Sequence, residues 1–313
     1  MIVTVTPNPV LDRTLTVSTL VFDEVTRARK VREDWGGKGF NVSRAVQALG
    51  GESVALGFLG GAVGQKLKSG LQGLGIRVRA LSIQGETRTN VVITEAETGR
   101  YIKVNEPGPE ILPSEVAAFY ELVDNFAKPG DIFALCGSLP PGVSPDFYAQ
   151  LTVRLHAAGA KVLLDTSGEA LRRGVKAKPD VIKPNDLEAA ALLGKPVTNP
   201  AEAARAVDNL VNMGITSVAL SLGAEGLLLA EGDARVWARP PVVQARNPVG
   251  AGDALVAGML WALARNLDLP AVARWGVASG TAAAALEGVS FGSQPEVAAL
   301  VQRVVFAPWP GGD

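Results

Sequence analysis

The sequence predicts an α/β fold in which a central, mostly parallel β-sheet is flanked by helices. Short β-branched runs alternate with longer helical patterns along most of the 313 residues, as in repeated strand–helix–strand units. The hydrophobic content of 47% is enough for a large core, and neither an internal repeat nor a low-complexity linker divides the chain. We therefore expect a single domain over residues 1–313.

The strands are predicted from the β-branched runs and the helices from the longer patterns between them. Core strands are expected at residues 2–6, 53–58, 131–136, 161–165, 180–182 and 217–222. Helices are expected at residues 40–49, 65–74, 113–126, 145–158, 186–193 and 201–213. The C-terminal part adds three alanine-rich helices at residues 254–265, 270–286 and 295–305.

Two segments, residues 12–35 and 87–105, interrupt this alternation. Both hold polar, β-prone sequence and neither contains a helical pattern. We expect them to form a small separate sheet that acts as a lid or as an oligomer contact.

Charge and composition exclude several classes of partner. The chain has 30 Lys and Arg against 31 Asp and Glu, with no long run of one sign, so neither nucleic acid nor an anionic membrane is an expected partner. The first residues lack a basic signal-peptide region, and no apolar stretch approaches the ~20 residues of a membrane span. One cysteine, Cys136, permits no internal disulfide, which fits a cytoplasmic protein. One histidine, His156, leaves a Ser-His-Asp triad or a multi-histidine metal site without support.

Polar loops follow several of the predicted strands. In a parallel α/β sheet, ligands bind beyond the carboxyl ends of the strands. The loops that begin at Thr6, Cys136, Asp165, Lys183 and Ser221 are rich in Gly, Ser and Asn. We expect these loops to converge on one edge of the sheet and to form the site there.

The most informative segment runs from Asn247 to Ala254 and leads directly into a helix. The amides of Gly250, Ala251 and Gly252 would point together at the helix N-terminus, where anions are favoured. Asp253 stands at the rim of this anion hole, where a carboxylate could receive a proton from an attacking hydroxyl group. The alternative is that Asp253 only caps the helix, as Asp often does.

A second glycine cluster, Gly36-Gly37-Lys38-Gly39, precedes another helix. It departs from the Walker A pattern, because Gly39 stands where Ser or Thr should follow the lysine. It offers close backbone approach, a cation and Asn41 one turn into the helix. The alternative is an ordinary turn with Lys38 in solvent.

Further polar residues lie in the strand-end loops and in the two irregular segments. Asp12 could accept hydrogen bonds from two neighbouring sugar hydroxyls, although exposed loop Asp is common. Arg88, Asn90 and Lys103 lie in the second irregular segment, where charge also serves solubility. Glu188, in the first turn of a helix, could hold Mg²⁺ through water or could simply reflect the charge bias of helix N-termini.

Taken together and in this order, five segments resemble the PfkB (ribokinase-like) family of carbohydrate kinases. They are the cluster Gly36-Gly37-Lys38-Gly39 with Asn41, Gly137-Ser138-Leu139-Pro140, Lys183-Pro184-Asn185 with Glu188, the loop from Ser221 to Gly226, and the turn from Gly250 to Asp253. The resemblance covers essentially the whole chain. Thr6-Pro7-Asn8-Pro9 with Asp12 is similar to the branch that holds 1-phosphofructokinases and tagatose-6-phosphate kinases. The resemblance to the family implies a nine-stranded central sheet, a β-lid and a homodimer that forms through paired lids.

The resemblance also implies a role for each matched residue. Asp253 is similar to the catalytic base, with Gly250, Ala251 and Gly252 as the anion hole. Sugar-phosphate contacts are implied for Asp12, Gly37, Lys38, Asn41, Arg88, Asn90, Lys103 and Ser138. Nucleotide contacts are implied for Lys183, Asn185, Ser221, Gly223, Gly226 and Ser279, and an Mg²⁺ contact for Glu188.

The implied reaction is ATP- and Mg²⁺-dependent phosphorylation of a ketohexose phosphate. Fructose 1-phosphate, phosphorylated at O6 to fructose 1,6-bisphosphate, is the first candidate, and tagatose 6-phosphate or fructose 6-phosphate, phosphorylated at O1, is the alternative. A non-catalytic sensor would be expected to lose the aspartate or the glycine turn, and both are present. A nucleoside kinase would leave Lys38 and Arg88 unpaired beside a neutral acceptor.

Overall fold

The computed structural model describes residues 1–310, which form two β-sheets and ten α-helices. In chain order the strands are β1 (Ile2–Thr6), β2 (Val10–Val17), β3 (Lys30–Gly36), β4 (Ser53–Gly60), β5 (Arg77–Ile83), β6 (Arg88–Glu95), β7 (Tyr101–Val104), β8 (Ile132–Cys136), β9 (Lys161–Asp165), β10 (Val181–Ile182), β11 (Ser217–Ser221), β12 (Leu227–Glu231), β13 (Ala234–Arg239) and β14 (Val305–Ala307). The helices are α1 (Lys38–Ala48), α2 (Gly61–Gly73), α3 (Pro113–Phe126), α4 (Phe147–Ala157), α5 (Gly168–Gly174), α6 (Asp186–Leu193), α7 (Pro200–Asn212), α8 (Ala251–Leu263), α9 (Leu269–Ala284) and α10 (Gln294–Val301), with 3-10 turns at Val175–Ala177 and Gly223–Glu225.

The large sheet has the strand order β14-β13-β12-β11-β10-β9-β8-β1-β4-β5. Neighbours from β11 through β5 pair in parallel, and neighbours from β11 through β14 pair antiparallel. The prediction of a central, mostly parallel sheet flanked by helices is confirmed. The sheet has ten strands rather than nine, and β14 is one of its edges.

All six predicted core strands are present, and each boundary lies within two residues of the prediction. They are predictable because parallel strands covered on both faces carry continuous apolar runs. Every residue of β1 and of β4 is buried.

Four strands of the large sheet and helix α5 were not predicted. Strand β5 lies at the sheet edge, and its burial is irregular rather than continuous. Strands β12 and β13 form a hairpin whose two-residue turn, Gly232-Asp233, has Gly232 at a φ of 54°. The helix expected at residues 295–305 ends at Val301, because the chain from Val305 onward pairs with β13 as β14.

Helices cover the large sheet, and helix α8 packs closely against helix α9. On one face, the rings of Phe119 in α3 and Phe147 in α4 lie 4.7 and 6.2 Å from that of Phe58 in β4. Helix α8 is buried from Asp253 to Ala262, and a Cβ on Gly258 would clash with the backbone carbonyl of Trp275 in α9. The longest helix, α9, has 16 residues, and no helix within residues 1–310 has the length and apolar character to cross a membrane.

The second sheet, which we call the lid sheet, has the order β3-β2-β6-β7. It contains both segments that the sequence set apart. Asp12 of β2 stands opposite Asn90 of β6 in a parallel pair, and Val10 stands opposite Gly36 in an antiparallel pair. Because β3 ends at Gly36 and α1 begins at Lys38, the lid sheet leads directly into the first turn of α1.

Candidate active site

Residues far apart in the chain meet at the carboxyl edge of the large sheet. The Nζ atom of Lys38, at the start of α1, lies 3.2 Å from Oδ1 of Asp165, at the end of β9. The Nδ2 atom of Asn41 donates to Oδ2 of Asp253 over 2.8 Å, across 212 positions of sequence. The expectation that polar loops converge at this edge therefore holds for these residues.

Asp253 is aimed at Asn41 rather than at the helix that contains it. The N-cap of α8 is Gly250, in the left-handed conformation with a φ of 85°, and no side chain caps this terminus. A φ in this range favours glycine. The simple capping role considered from the sequence therefore does not describe Asp253.

The surroundings of Asp253 make it a weaker acid than an ordinary aspartate. Burial raises the pKa of Asp253 to about 6, and the neighbouring charge of Asp165 adds to the rise. The hydrogen bond from Asn41 and the charges of Lys38 and Lys183 act in the opposite direction. A carboxylate with a pKa near neutrality is ionised at physiological pH and retains useful proton affinity, which suits a general base.

The turn before α8 presents amides beside this carboxylate. The Ala251 amide donates to the Pro248 carbonyl over 3.2 Å, whereas the amides of Gly250 and Gly252 meet no acceptor within residues 1–310. A Cβ built on Gly252 would meet only Nζ of Lys183, 4.0 Å away. Two of the three predicted amides are thus available to an anion, and the ammonium group of Lys183 lies near Gly252.

An ion network that the sequence did not reveal lies next to Asp253. Oδ1 of Asp165, which is only 1% exposed, lies 3.2 Å from Nζ of Lys38 and 3.4 Å from Nζ of Lys183. Burial alone would lower the pKa of Lys38, but the charges of Asp165, Asp253 and Glu188 outweigh it and raise that pKa. Lys38 is therefore paired with Asp165 rather than free in solvent.

A cavity of about 600 Å³ opens beside the amides of Ala251 and Gly252. Most of the predicted nucleotide contacts line it, namely Asn185, Ser221, Gly223 and Gly226. Its remaining wall is largely apolar and includes Val242, Leu255 and Val277. An apolar pocket with polar groups at one end suits an aromatic base joined to a phosphate chain.

Ser279, another predicted nucleotide contact, stands apart from the residues that line the cavity. The α9 residues that line the cavity are Val277, Gly280, Thr281 and Ala284, whereas Ser279 does not line it. Ser279 is buried, and its Oγ atom lies where a side chain on Gly258 of α8 would be. The helix therefore turns Ser279 toward α8 rather than toward the cavity.

Asn185 and Glu188 form a reciprocal cap at the start of α6. The Glu188 amide donates to Oδ1 of Asn185 over 2.8 Å, and the Asn185 amide donates to Oε2 of Glu188 over 2.9 Å. The Glu188 carboxylate thereby keeps one oxygen outside the cap. Within residues 1–310 no group of three or more His, Cys, Asp or Glu side chains is arranged to hold a metal ion.

The lid sheet supplies a second polar group. Asn90 Nδ2 donates to Oδ1 of Asp12 over 2.9 Å, and the Glu106 amide donates to Oδ1 of Asn90 over 3.2 Å. Burial raises the pKa of Asp12, against the hydrogen bond from Asn90 and the charges of Lys103 and Arg88. The guanidinium group of Arg88 donates to the carbonyls of Glu106 and Asn8, and burial lowers its pKa.

The other predicted sugar-side residues surround this group. Ser138 accepts a 3.4 Å hydrogen bond from Nδ2 of Asn8, which also donates to the Pro107 carbonyl. Lys103 lies exposed on the edge strand β7. Gly37 has a φ of 111°, and its Cα approaches the loop after β1 closely enough that a Cβ would lie 3.1 Å from Cα of Pro9.

The site thus combines a buried carboxylate, a turn with amides left free within residues 1–310 and a cavity of about 600 Å³. The sequence profile described as "pfkB family carbohydrate kinase" matches residues 7–296. This chain belongs to the pfkB family of carbohydrate kinases. The kinase is thus placed in the family that its motifs resembled.

Relatives and solved structures match the kinase over nearly its whole length. It is 33% identical over 303 residues to a 1-phosphofructokinase of Vibrio cholerae, covering 97% of this chain and 95% of the relative. It is 34% identical to a 1-phosphofructokinase of Bacillus subtilis, covering 97% of this chain and 98% of the relative. Phosphofructokinase-2 from Escherichia coli in complex with fructose-6-phosphate matches with a TM-score of 0.90 and 30% identity, over 96% of this chain and 98% of that one.

Two residues of the kinase site escaped sequence reasoning. Asp165 was noted only as a strand end, and its burial between two lysines needs the order of β9, β10 and α1 in space. Arg44, which follows the second glycine cluster on the same helix, was given no role, and the structure places it against Asn41. A spacing of three positions within one helix was the available signal, because such residues share a face.

Proposed function

We propose that the kinase transfers the terminal phosphoryl group of ATP to O6 of fructose 1-phosphate, giving fructose 1,6-bisphosphate. The observation that carries the proposal is the buried carboxylate of Asp253 directly after a turn whose Gly250 and Gly252 amides meet no acceptor within residues 1–310 and whose Ala251 and Gly252 line the cavity. Phosphoryl transfer needs mainly positioning and stabilisation of charge on the transferred group, and these elements provide both.

Asp253 acts as the base that receives the proton of the acceptor hydroxyl. The amides of Gly250 and Gly252, with the ammonium group of Lys183, stabilise negative charge on the transferred phosphoryl group. Lys183 is 5% exposed, so solvent screens its charge weakly.

The acceptor binds between the lid sheet and the start of α1. Asp12 accepts hydrogen bonds from sugar hydroxyls, and Asn90 and Asn41 hold the two carboxylates, Asp12 and Asp253, in place. Arg88, Lys103 and Lys38 supply cationic charge for the phosphate that the acceptor already carries. Gly37 and Ser138 bring backbone and hydroxyl groups close to the same space.

Mg²⁺ fits the donor set around Glu188. This ion usually keeps several waters and uses one or two carboxylates, and Glu188 has one carboxylate oxygen outside its cap. When bound, the ion would neutralise charge on the nucleotide phosphates. Asn185, Ser221, Gly223 and Gly226 orient the nucleotide in the cavity.

A second acceptor, fructose 6-phosphate phosphorylated at O1, is favoured by one observation. The matching structure of phosphofructokinase-2 from Escherichia coli holds fructose-6-phosphate and aligns with a TM-score of 0.90. The 1-phosphofructokinase relatives, at 33% and 34% identity, favour fructose 1-phosphate. Tagatose 6-phosphate remains the third candidate.

An assay of ADP release separates these acceptors. Fructose 1-phosphate, fructose 6-phosphate, tagatose 6-phosphate and adenosine are compared at equal concentration with ATP and Mg²⁺. We expect the highest kcat/KM with fructose 1-phosphate and no turnover of adenosine. A higher kcat/KM with another sugar phosphate would move the substrate assignment to that sugar, and turnover of adenosine alone would end the sugar-phosphate proposal.

The kinase is further proposed to be a homodimer joined through its lid sheets and to work in the cytoplasm. Apolar side chains exposed on the lid sheet support the first point, including Val31, Tyr101 and Val104. The single, buried and free thiol of Cys136 supports the second.

A further inference from the structure

Arg44 is enclosed by protein acceptors one turn after Asn41 on α1. Its Nη1 atom donates to the Trp35 carbonyl over 3.2 Å and to Oδ1 of Asn41 over 3.3 Å. Its Nη2 atom donates to the Val289 carbonyl over 3.0 Å, and its guanidinium carbon lies 5.2 Å from the centre of the Phe291 ring. The side chain is thereby fixed from three sides: the end of β3, its own helix and the loop after α9.

This fixed guanidinium group decides which way the Asn41 amide points. An asparagine amide has an acceptor end and a donor end, whereas a guanidinium group can only donate. The end that faces Arg44 must therefore be the oxygen, and the NH2 end must face Asp253, where it donates to Oδ2 over 2.8 Å. No donor within residues 1–310 reaches Oδ1 of Asp253 through a side-chain hydrogen bond.

We propose that Arg44 is a positioning residue that locks the Asn41 amide with its NH2 group toward Asp253, so that one carboxylate oxygen is held and the other takes the proton of the acceptor hydroxyl. A donated hydrogen bond favours the ionised carboxylate. Without Arg44, the amide can rotate by half a turn and present its oxygen, which favours the protonated acid instead. The catalytic consequence rests on the proposed kinase reaction, whereas the orientation of Asn41 does not.

Other charged groups face both ends of this chain of contacts. Asp253 faces Asp165 from β9, Lys38 from α1, Lys183 from the loop after β10 and the thiol of Cys136 from β8. Arg44 faces Asp34 and Arg32 from β3, Asp12 from β2 and Asp253 itself. Removing Arg44 therefore also removes a positive charge near Asp253, and the test must separate this charge from the amide.

The test is a pH profile of single-turnover rate with fructose 1-phosphate and ATP in four chains: wild type, Arg44→Met, Asn41→Leu and the double variant. We expect Arg44→Met to move the midpoint of the acid limb upward by about half a pH unit or more, with the rate recovering at high pH. In the Asn41→Leu background the same substitution should move it clearly less, because leucine has no amide to rotate and only the loss of the Arg44 charge remains. An equal shift in both backgrounds, or a loss that is uniform across pH, overturns the proposal.

Two further variants guard against a folding defect. Arg44→Lys keeps the charge and replaces the guanidinium fork by a single ammonium group, so a smaller shift in the same direction is expected. Arg265→Met is the matched control, because Arg265 also stacks on an aromatic ring, 3.7 Å from the centre of Trp261, and donates to a carbonyl. Its profile should match that of the wild type. If neither Arg44→Met nor Arg44→Lys moves the midpoint of the pH profile, the proposal is overturned.

A measurement without substrate keeps this inference distinct from the proposed reaction. The difference in unfolding free energy between the Asp253 and Asp253→Asn chains is followed against pH, with and without Arg44→Met. Its midpoint reports the proton affinity of Asp253 in the folded protein. A midpoint that moves upward, and moves less when Asn41→Leu is also present, supports the role of Arg44 even if no sugar phosphate is turned over. An unmoved midpoint, or an equal shift with and without Asn41→Leu, overturns it even if turnover is normal.

Discussion

At the residue scale, the burial of Asp253 and its proposed role as a base favour different protonation states. Burial disfavours its ionised form, yet the ionised form is the one that accepts a proton. The raised pKa means that the folded chain binds this proton more tightly than the unfolded chain does. The stability that Asp253 contributes is therefore complete below the ordinary pKa of 3.8 and is lost as pH rises through about 6.

Replacing Asp253 by Asn should consequently stabilise the kinase at pH 8. A shift of about two pH units corresponds to about 3 kcal/mol, so a gain of about 1–3 kcal/mol in unfolding free energy is expected, fading toward pH 4. Urea unfolding at both pH values measures it. Asp146→Asn is the control, because Asp146 lies in a partly exposed pair with Arg173 and its loss should give no gain. A deficit for Asp253→Asn that is equal at both pH values would contradict this account.

Sequence reasoning at this scale can reach residues that are neighbours in a motif. The turn from Gly250 to Asp253 and the pair Asn185 and Glu188 could be read directly, because their contacts are local. Asp165 could not, because its lysine partners come from other parts of the chain. For Ser279 the sequence could not give the rotation of α9 about its axis, which places Gly280 rather than Ser279 in the cavity lining.

At the scale of elements, the turn between β3 and α1 joins the lid sheet to the catalytic edge. Gly37 adopts a φ of 111°, and a Cβ there would lie 2.7 Å from Cγ2 of Thr6 and 3.1 Å from Cα of Pro9. Both the backbone conformation and the space therefore require glycine. The turn sets where Lys38 and Asn41 begin their helix.

Gly37→Ala should therefore destabilise the fold by about 1–3 kcal/mol and lower kcat/KM, because α1 must shift away from β1. Gly73→Ala is the matched control: Gly73 ends helix α2, and a Cβ there meets no atom within 4 Å. That change should leave activity intact and stabilise by up to about 1 kcal/mol. Thermal unfolding measures the stability of both variants, and initial rates measure their kcat/KM. Equal behaviour of the two would refute the role given to the turn.

The elements that sequence reasoning missed are those whose own residues carry little secondary-structure pattern. The parallel strands are recognisable as continuous apolar runs, but β14 has only three residues and exists through its pairing with β13. The hairpin of β12 and β13 carries a Gly232-Asp233 turn that could have indicated it. Pairing partners, rather than local propensity, decide such strands.

At the scale of the whole molecule, the lid sheet has one edge strand that no other described element covers. Strand β7 is exposed along its full length and stands at a sheet edge. An exposed edge strand with apolar side chains can pair with a strand of another chain. This supports the proposed dimer and gives it a location.

Ile102→Lys and Val104→Lys together should convert the dimer to a monomer of the 32.5 kDa chain in sedimentation velocity. Charge placed on both partners at the same contact repels, since a twofold interface repeats it. Val153→Lys, at an exposed position of α4, should leave the mass unchanged. A wild-type chain that sediments as a monomer at micromolar concentration would contradict the proposed dimer.

The most direct test of the central claim, that Asp253 is the base, is the single-turnover rate of Asp253→Asn with ATP and fructose 1-phosphate. The account predicts a rate at least about 10³-fold below the wild type, with ATP affinity changed little, because only the proton acceptor is lost. It also predicts that the wild-type rate rises with pH through about 6, following the pKa of Asp253. A variant that turns over at a near-normal rate, or a wild-type rate that is flat across this range, would contradict it.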